Sequence, residues 1–396
     1  MKKLIVLLSV VCLSILTVPL ATLVSAAEPI KIGFLEGLTG YMAPVAEELS
    51  RGLKLAFEKF MPTVAGRPIQ LILEDTGTKA DLALQKAKKL VERDKISILF
   101  GPIHGGHGMG VSAYTDQMKV PYIYAGPGTG GFITDREWVW VTIGTLGGMT
   151  FPVGTYAYKD LNYKTCTVLA TDREVGHEFM YGFFMSFKEL GGKVIQEQYF
   201  PPGTTQFSPY LAKIQKADFM ATWIGDADGI AGFPAIREMG IKMPIIQVEN
   251  GGAMLSPKAA MQMGKSIIGV ITSTWYGHTL DNPTNKAFVA EYQKAYGDLP
   301  GSFAGAGYEG AQVVTNALKA TGGDTSPDKL RKALMQPIDT LAGHLEWTKD
   351  RSGIHPIFIV QIQEDVTKAK VLKAFVSRTD VVEKGGKKTL KFSVVQ

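Results

Sequence analysis

The sequence predicts an α/β protein, with parallel sheets covered by helices on both faces and two domains. Short runs rich in β-branched and aromatic residues alternate with amphipathic runs along most of the chain. Each apolar run ends in a glycine-rich or polar loop, the place where open sheets of this kind bind ligands. The 396 residues exceed what one hydrophobic core usually fills, so two domains are expected.

The chain opens on a leader. Lys2 and Lys3 precede an almost unbroken apolar run from Leu4 to Val24, and Val24-Ser25-Ala26 supplies a small-residue boundary before Glu28-Pro29. This is the layout of a secretory signal peptide over residues 1–26, cleaved after Ala26 or Ala27. The run is long enough to span a bilayer uncleaved, but Pro19 and the small residues at its end favour cleavage. No later segment has the roughly 18 uninterrupted apolar residues of a second span. The expectation is a soluble protein of the periplasm. Only Cys166 follows the leader, so no intramolecular disulfide is expected in that oxidising compartment. Two of the 42 basic side chains lie in the leader, against 37 acidic ones in all. That near balance argues against nucleic acid or a strongly anionic surface as partner.

Residues 31–35 read as a short buried strand ending in the loop Glu36-Gly37-Leu38-Thr39-Gly40. Residues 46–60 carry Leu49, Leu53, Ala56, Phe57 and Phe60 at helical spacing, closed by Pro62 and Gly66-Arg67-Pro68. Residues 69–75 form the next strand and residues 80–93 an amphipathic helix with Leu82, Leu84, Ala87, Leu90 and Val91 on its apolar side. The strand at 96–100 runs straight into Gly101-Pro102-Ile103-His104-Gly105-Gly106, followed by a helix at 112–118 and a strand at 121–124. Beyond Thr145 the alternation continues with strands at 165–170, 194–200, 219–224, 244–248 and 267–273. Helices are expected at 178–190 and near 209–216 and 229–239.

Several segments, in order, carry a resemblance. They are the run Ile32 to Gly40, Arg51-Gly52, Leu73-Glu74-Asp75-Thr76, Leu99-Phe100-Gly101-Pro102, Val120-Pro121-Tyr122-Ile123 and Gly343-His344-Leu345-Glu346-Trp347. Together they resemble the periplasmic substrate-binding proteins of ABC importers, in the branch similar to the leucine/isoleucine/valine-binding protein. The resemblance implies a type I periplasmic binding protein: two doubly wound α/β lobes joined by three crossing segments, with ligand in the interlobe cleft. The crossings would lie near residues 142–146, 273–278 and 345–350. Lobe I would take residues 28–144 and 278–344, and lobe II residues 145–277 and 345–396. Hinge closure over the ligand is the implied mechanism. A membrane permease and its ATPase are the implied partners; no cofactor is called for, and a monomer is expected.

Candidate site residues fall in the strand-end loops. Gly105 and Gly106 let backbone N–H groups approach a ligand at a helix start, where an anion is favoured. A loop that merely turns tightly would read the same way. The family has carboxylate-holding serines about here, so the two glycines leave α-amino-acid specificity open. His104 and His107 lack the acidic or cysteine companions of a metal site and read as loop histidines, with His104 beside the ligand. In the second loop Gly126, Gly128 and Thr129 stand where the resemblance implies a carbonyl and a hydroxyl on the ligand. Gly126, Gly128 and Gly131 also spell G-x-G-x-x-G, a weak dinucleotide signal with no suitable acidic residue after a matching strand. From the second half, Glu174 and Val175 lie in the loop that carries an aromatic in the family, with Val175 where a tyrosine is common. Asp226 and Glu249 are at positions where the family reaches its ligand, and Glu249 is the best candidate to pair with an ammonium. Asp228 reads as a plain surface carboxylate. Trp275 and Tyr276 fall at a crossing, where aromatics either wall a cleft or pack a hinge.

These readings point to a solute receptor that delivers an amino acid or related small carboxylate to a permease. No G-x-S-x-G elbow, H-E-x-x-H or P-loop occurs, so no enzyme is expected. Two alternatives stay open: a ligand-sensing module of a signalling system, or a non-amino-acid solute such as an aromatic acid, amide or urea-like compound.

Overall fold

The computed structural model describes residues 27–249 and 254–395, without the side chains of Asp226 and Ala227. The leader expected at 1–26 lies outside the described residues. Strand and helix alternate as expected and sort into two sheets. The first holds β1 (Ile30–Glu36), β2 (Thr63–Val64), β3 (Arg67–Asp75), β4 (Ile98–Phe100), β5 (Tyr122–Tyr124) and β6 (Val139–Val141), ordered β2-β3-β1-β4-β5-β6. Every pair is parallel except the β2–β3 hairpin. Helices α1 (Ala43–Leu55), α2 (Ala80–Lys88), α3 (Gly105–Met118) and α4 (Gly131–Thr134) link these strands. The winding reverses direction between β1 and β4, which opens a crevice at their carboxyl ends.

The second sheet repeats this plan. Its strands β7 (Thr165–Thr171), β8 (Lys193–Phe200), β9 (Phe219–Trp223), β10 (Ile245–Gln247) and β11 (Ile271–Thr274) run parallel in the order β8-β7-β9-β10-β11. The reversal falls between β7 and β9. Helices α5 (Leu146–Lys159), α6 (Glu174–Glu189), α7 (Ser208–Leu211), α8 (Asp226–Glu238) and α9 (Pro257–Met263) accompany it. After β11 the chain returns to the first sheet through α10 (Pro283–Tyr296), α11 (Ser302–Ala320) and α12 (Pro327–Ala333). The α1–α11 contact is backbone against backbone. A Cβ on Gly52 would stand 2.0 Å from the Ala304 carbonyl oxygen, and one on Gly307 would stand 2.3 Å from that of Leu49.

The chain ends in β12 (Ile338–Asp339), β13 (His344–Trp347), β14 (Gly353–Ile362), β15 (Ala369–Lys384) and β16 (Lys387–Val395). Here the expectation of wholly parallel sheets fails. β14 joins β11 antiparallel, and β15 and β16 extend the sheet as an antiparallel ribbon. The reason is tertiary: buried Phe375, Ser377 and Thr379 alternate along β15 and dock on α5. The Ser377 hydroxyl donates to the Gly148 carbonyl at 2.6 Å, and the Thr145 and Thr379 hydroxyls lie 2.8 Å apart.

Two helix boundaries differ most from expectation. α7 stops after one turn because Gln196 of β8 takes the next backbone groups: its amide donates to the Lys213 carbonyl and its oxygen accepts from Gln215 N–H. α3 begins at Gly105, seven residues before the expected 112, because the His104 imidazole accepts the His107 N–H and its carbonyl accepts the Gly108 N–H. A glycine-rich first turn has no apolar periodicity to reveal it. Among the described residues no helix is long and apolar enough to cross a membrane.

Candidate functional site

The carboxyl ends of both sheets open on one cleft of about 600 Å³, within the range of small-molecule sites. One wall comes from the loops after β1, β4 and β5 and the first turns of α1 and α3: Tyr41, Met42, Val45, Ile103, His104, Gly105, Gly106, Met109, Tyr124, Gly126, Pro127 and Thr129. The other comes from the ends of β7, β9 and β10 and from α6: Arg173, Glu174, Val175, Glu178, Phe179, Trp223 and Glu249. Leu146, Trp275 and Phe303 complete the lining where the chain passes between sheets.

Three buried side chains brace the loop that leads into α3. The Glu36 carboxyl group accepts the Ile103 N–H at 2.6 Å and the Gly37 N–H at 3.3 Å. Tyr122 donates its hydroxyl to the Pro102 carbonyl at 2.5 Å, and Tyr124 donates to the Ile103 carbonyl. Both backbone groups of Ile103 are thereby held, and the next residues, His104, Gly105 and Gly106, enter the cleft in a fixed orientation. The leading N–H groups of α3 have no acceptor within the helix, so they form a donor pair for an anion. Burial, the neighbouring His107 and Arg173 lower the His104 pKa to about 4. At neutral pH the ring is uncharged, as its role of accepting the His107 N–H requires.

On the opposite wall, Glu249 is almost fully buried and its Oε2 accepts the Trp223 indole N–H at 3.0 Å. Trp223 in turn lies on Phe179, with ring centroids 5.7 Å apart. Glycine makes room for that indole: a Cβ on Gly176 or Gly225 would come within 2.8 Å of it. Trp275 donates its indole N–H to the Ser302 carbonyl at 3.0 Å and meets Phe303 edge to face. The cleft therefore combines an amide donor pair, a buried carboxylate and aromatic walls, a surface for a small amphiphile with a negative end.

Nine of the expected site residues gather around this cleft: His104, Gly105, Gly106, Gly126, Thr129, Glu174, Val175, Glu249 and Trp275. Gly128 does not. It packs on Val141 and Phe132, and its backbone pairs with the crossing at Gly144 and Leu146. Tyr276 is buried under Gly305 and packs the second crossing, outside the cleft lining. The Asp226 side chain lies outside the described residues. Asp228 is a correction, since it is buried and accepts from the Thr171 hydroxyl and the Gly203 N–H. Tyr41, Arg173, Glu178, Phe179, Trp223 and Phe303 line the cleft without having been expected to. Tyr41, Arg173 and Trp223 each sit at or just past a strand end, a position the topology of open sheets singles out.

Buried carboxyls give the protein a definite pH response. Burial pushes Glu36 up to about 8, and pushes Glu48 and Glu178 up to about 7, from an ordinary 4.5. With folded values raised, the native state holds more protons than the unfolded one between these limits. Their contribution is full below about pH 4.5 and is lost as pH rises through 7 to 8. His104, depressed to about 4, acts oppositely but only below its ordinary 6.5. The thermal midpoint should therefore fall between pH 6.5 and 8.5, by roughly 2–4 °C for each kcal/mol lost. Glu36→Gln should flatten that slope. A midpoint that rises across this window would contradict the assignment.

A family model described as periplasmic binding protein matches residues 29–368. Leu/Ile/Val-binding protein homolog 6 of Brucella suis biovar 1 (strain 1330) is 24% identical over 342 residues, covering 85% of each chain. An ABC transporter substrate-binding protein from Sphaerobacter thermophilus is 27% identical, covers 88% of this chain and 98% of that one, and superposes with a TM-score of 0.83. A solute binding protein of an ABC transporter from Rhodopseudomonas palustris BisB5, in complex with 3,4-dihydroxy benzoic acid, is 26% identical. That match covers 85% of this chain and 93% of the other, with a TM-score of 0.76.

Proposed function

The chain belongs to the periplasmic binding protein family, the extracytoplasmic solute-binding proteins of ABC transporters, and we propose that it closes over a small carboxylate and delivers it to a permease. The observation that carries the ligand reading is the pairing of the α3 amides at Gly105 and Gly106 with the buried Glu249 in one cleft. The amides suit a carboxylate, Glu249 suits an ammonium, and the aromatic walls suit an apolar body. An amino acid with a bulky side chain meets all three demands. His104, Gly126, Thr129, Glu174, Val175 and Trp275 are assigned to the same site. Closure would swing residues 28–144 and 278–344 against 145–277 and 345–396. The leader would be removed after Ala26 or Ala27. Solute-binding proteins of this type are not themselves enzymes, and the same is proposed for this chain.

A second reading, a hydroxylated aromatic acid, is favoured by the ring-rich lining and by the relative whose complex holds 3,4-dihydroxy benzoic acid. A thermal-shift screen over amino acids and aromatic acids separates the two. A true ligand at a hundredfold its dissociation constant should add about 2.7 kcal/mol of stability. For an amino acid, Glu249→Gln should cost about 1.5–3 kcal/mol of binding, the range for a hydrogen bond to a charged group. An acid without an amine should lose much less in titration calorimetry. Equal losses for both kinds of ligand would remove Glu249 from the role of ammonium partner.

A further inference from the structure

Three glutamates line the cleft, and they are not equivalent. Glu249 is already engaged by the Trp223 indole. Glu174 is exposed at the rim. Glu178, one helical turn further along α6, is partly buried beside Phe179 and lines the same cleft. No hydrogen bond or ion pair engages Glu178 among the described residues. A carboxyl group partly withdrawn from water without a protein partner loses some of its hydration, and a donor from outside would replace it.

We propose that Glu178 is a second ligand-contacting acceptor, which sets whether the cleft prefers an ammonium or a hydroxyl on its solute. The inference rests on the receptor reading above and adds the residue that determines specificity. Glu174 on its own helix acts on Glu178, and Arg173 just before that helix and Glu249 on the same wall line the cleft with it. Across the cleft stand Tyr124, whose hydroxyl titration it raises, and the uncharged His104. Burial and Glu174 hold its carboxyl near 7, so at neutral pH it is part protonated and part ionised. The ionised form attracts an ammonium, whereas the protonated form accepts from a neutral hydroxyl through its carbonyl oxygen. An ammonium bound beside it draws it into the ionised form and drives out its proton, which passes to the buffer.

The test titrates L-isoleucine, L-phenylalanine, 3,4-dihydroxybenzoate and benzoate into wild type, Glu178→Gln and Glu178→Ala at pH 7, in phosphate and in Tris. Glu178→Gln has the size of the glutamate but is fixed in a neutral form. It should weaken an amine probe at least about tenfold relative to 3,4-dihydroxybenzoate. Glu178→Ala should weaken both kinds of donor while leaving benzoate unchanged. In wild type an amine probe should release a fraction of a proton, seen as heats that differ between the two buffers, and Glu178→Gln should release none. A merely structural role for Glu178 would leave that proton count intact. Unchanged selectivity and proton release in Glu178→Gln would overturn the proposal while leaving the receptor standing. Failure of every probe to bind wild type would instead overturn the ligand class on which both rest.

Discussion

Gly105→Val is expected to weaken ligand binding at least a hundredfold, about 2.7 kcal/mol, while the protein stays folded. Gly105 is the first residue of α3 and lines the cleft, and its N–H has no acceptor within the helix. A Cβ there would come 2.8 Å from the Thr129 methyl. That methyl belongs to a side chain that can turn aside, so the strain on the fold is small. The two methyls of valine would then occupy the space proposed for the anion. Gly106→Ala is the comparison. Its nearest neighbour, His104 Cε1, would be 3.5 Å away, an ordinary contact, so the loss should stay under about tenfold. Calorimetry with any solute that passes the thermal screen checks both variants. Wild-type affinity in Gly105→Val would place the binding site elsewhere.

The second large effect falls on stability. Gly52→Ala should cost about 3 kcal/mol, the upper end of overpacking costs, and lower the thermal midpoint by roughly 6–12 °C. A Cβ at Gly52 would press on the Ala304 carbonyl at 2.0 Å, and a backbone atom cannot swing aside as a side chain can. Helix α1 would have to separate from α11, which loosens the return of residues 283–333 onto the first sheet. Gly110→Ala provides the control. It is exposed within α3, a Cβ there would meet nothing within 4 Å, and alanine's helix propensity should stabilise it by up to about 1 kcal/mol. If both substitutions shift the midpoint alike, the α1–α11 contact is not the cause.

The amino-acid sequence alone determined the class of fold, most of the strands and helices to residue 273 (though not β6, α4, α5 or α9), and several of the loops that line the cleft. These follow from periodicity and strand-end chemistry, which are properties of neighbouring residues. Gly105, Gly106, Thr129 and Glu249 could be named in advance because each follows a strand in an open parallel sheet, where the topology dictates position. The closing ribbon, β15 and β16, was not legible. Its register and direction are decided by docking on α5, more than two hundred residues earlier in the chain. Nor could local pattern show that Asp228 is buried, that Gly128 serves a crossing, or that Trp223 holds Glu249. Each of those depends on which distant group arrives beside the residue once both sheets have formed. A carboxylate reads the same in sequence whether it meets water, an indole or an empty wall of a cleft. Only the tertiary structure assigned those three fates to Glu174, Glu249 and Glu178, because burial and partner are set by packing rather than by the chain on either side.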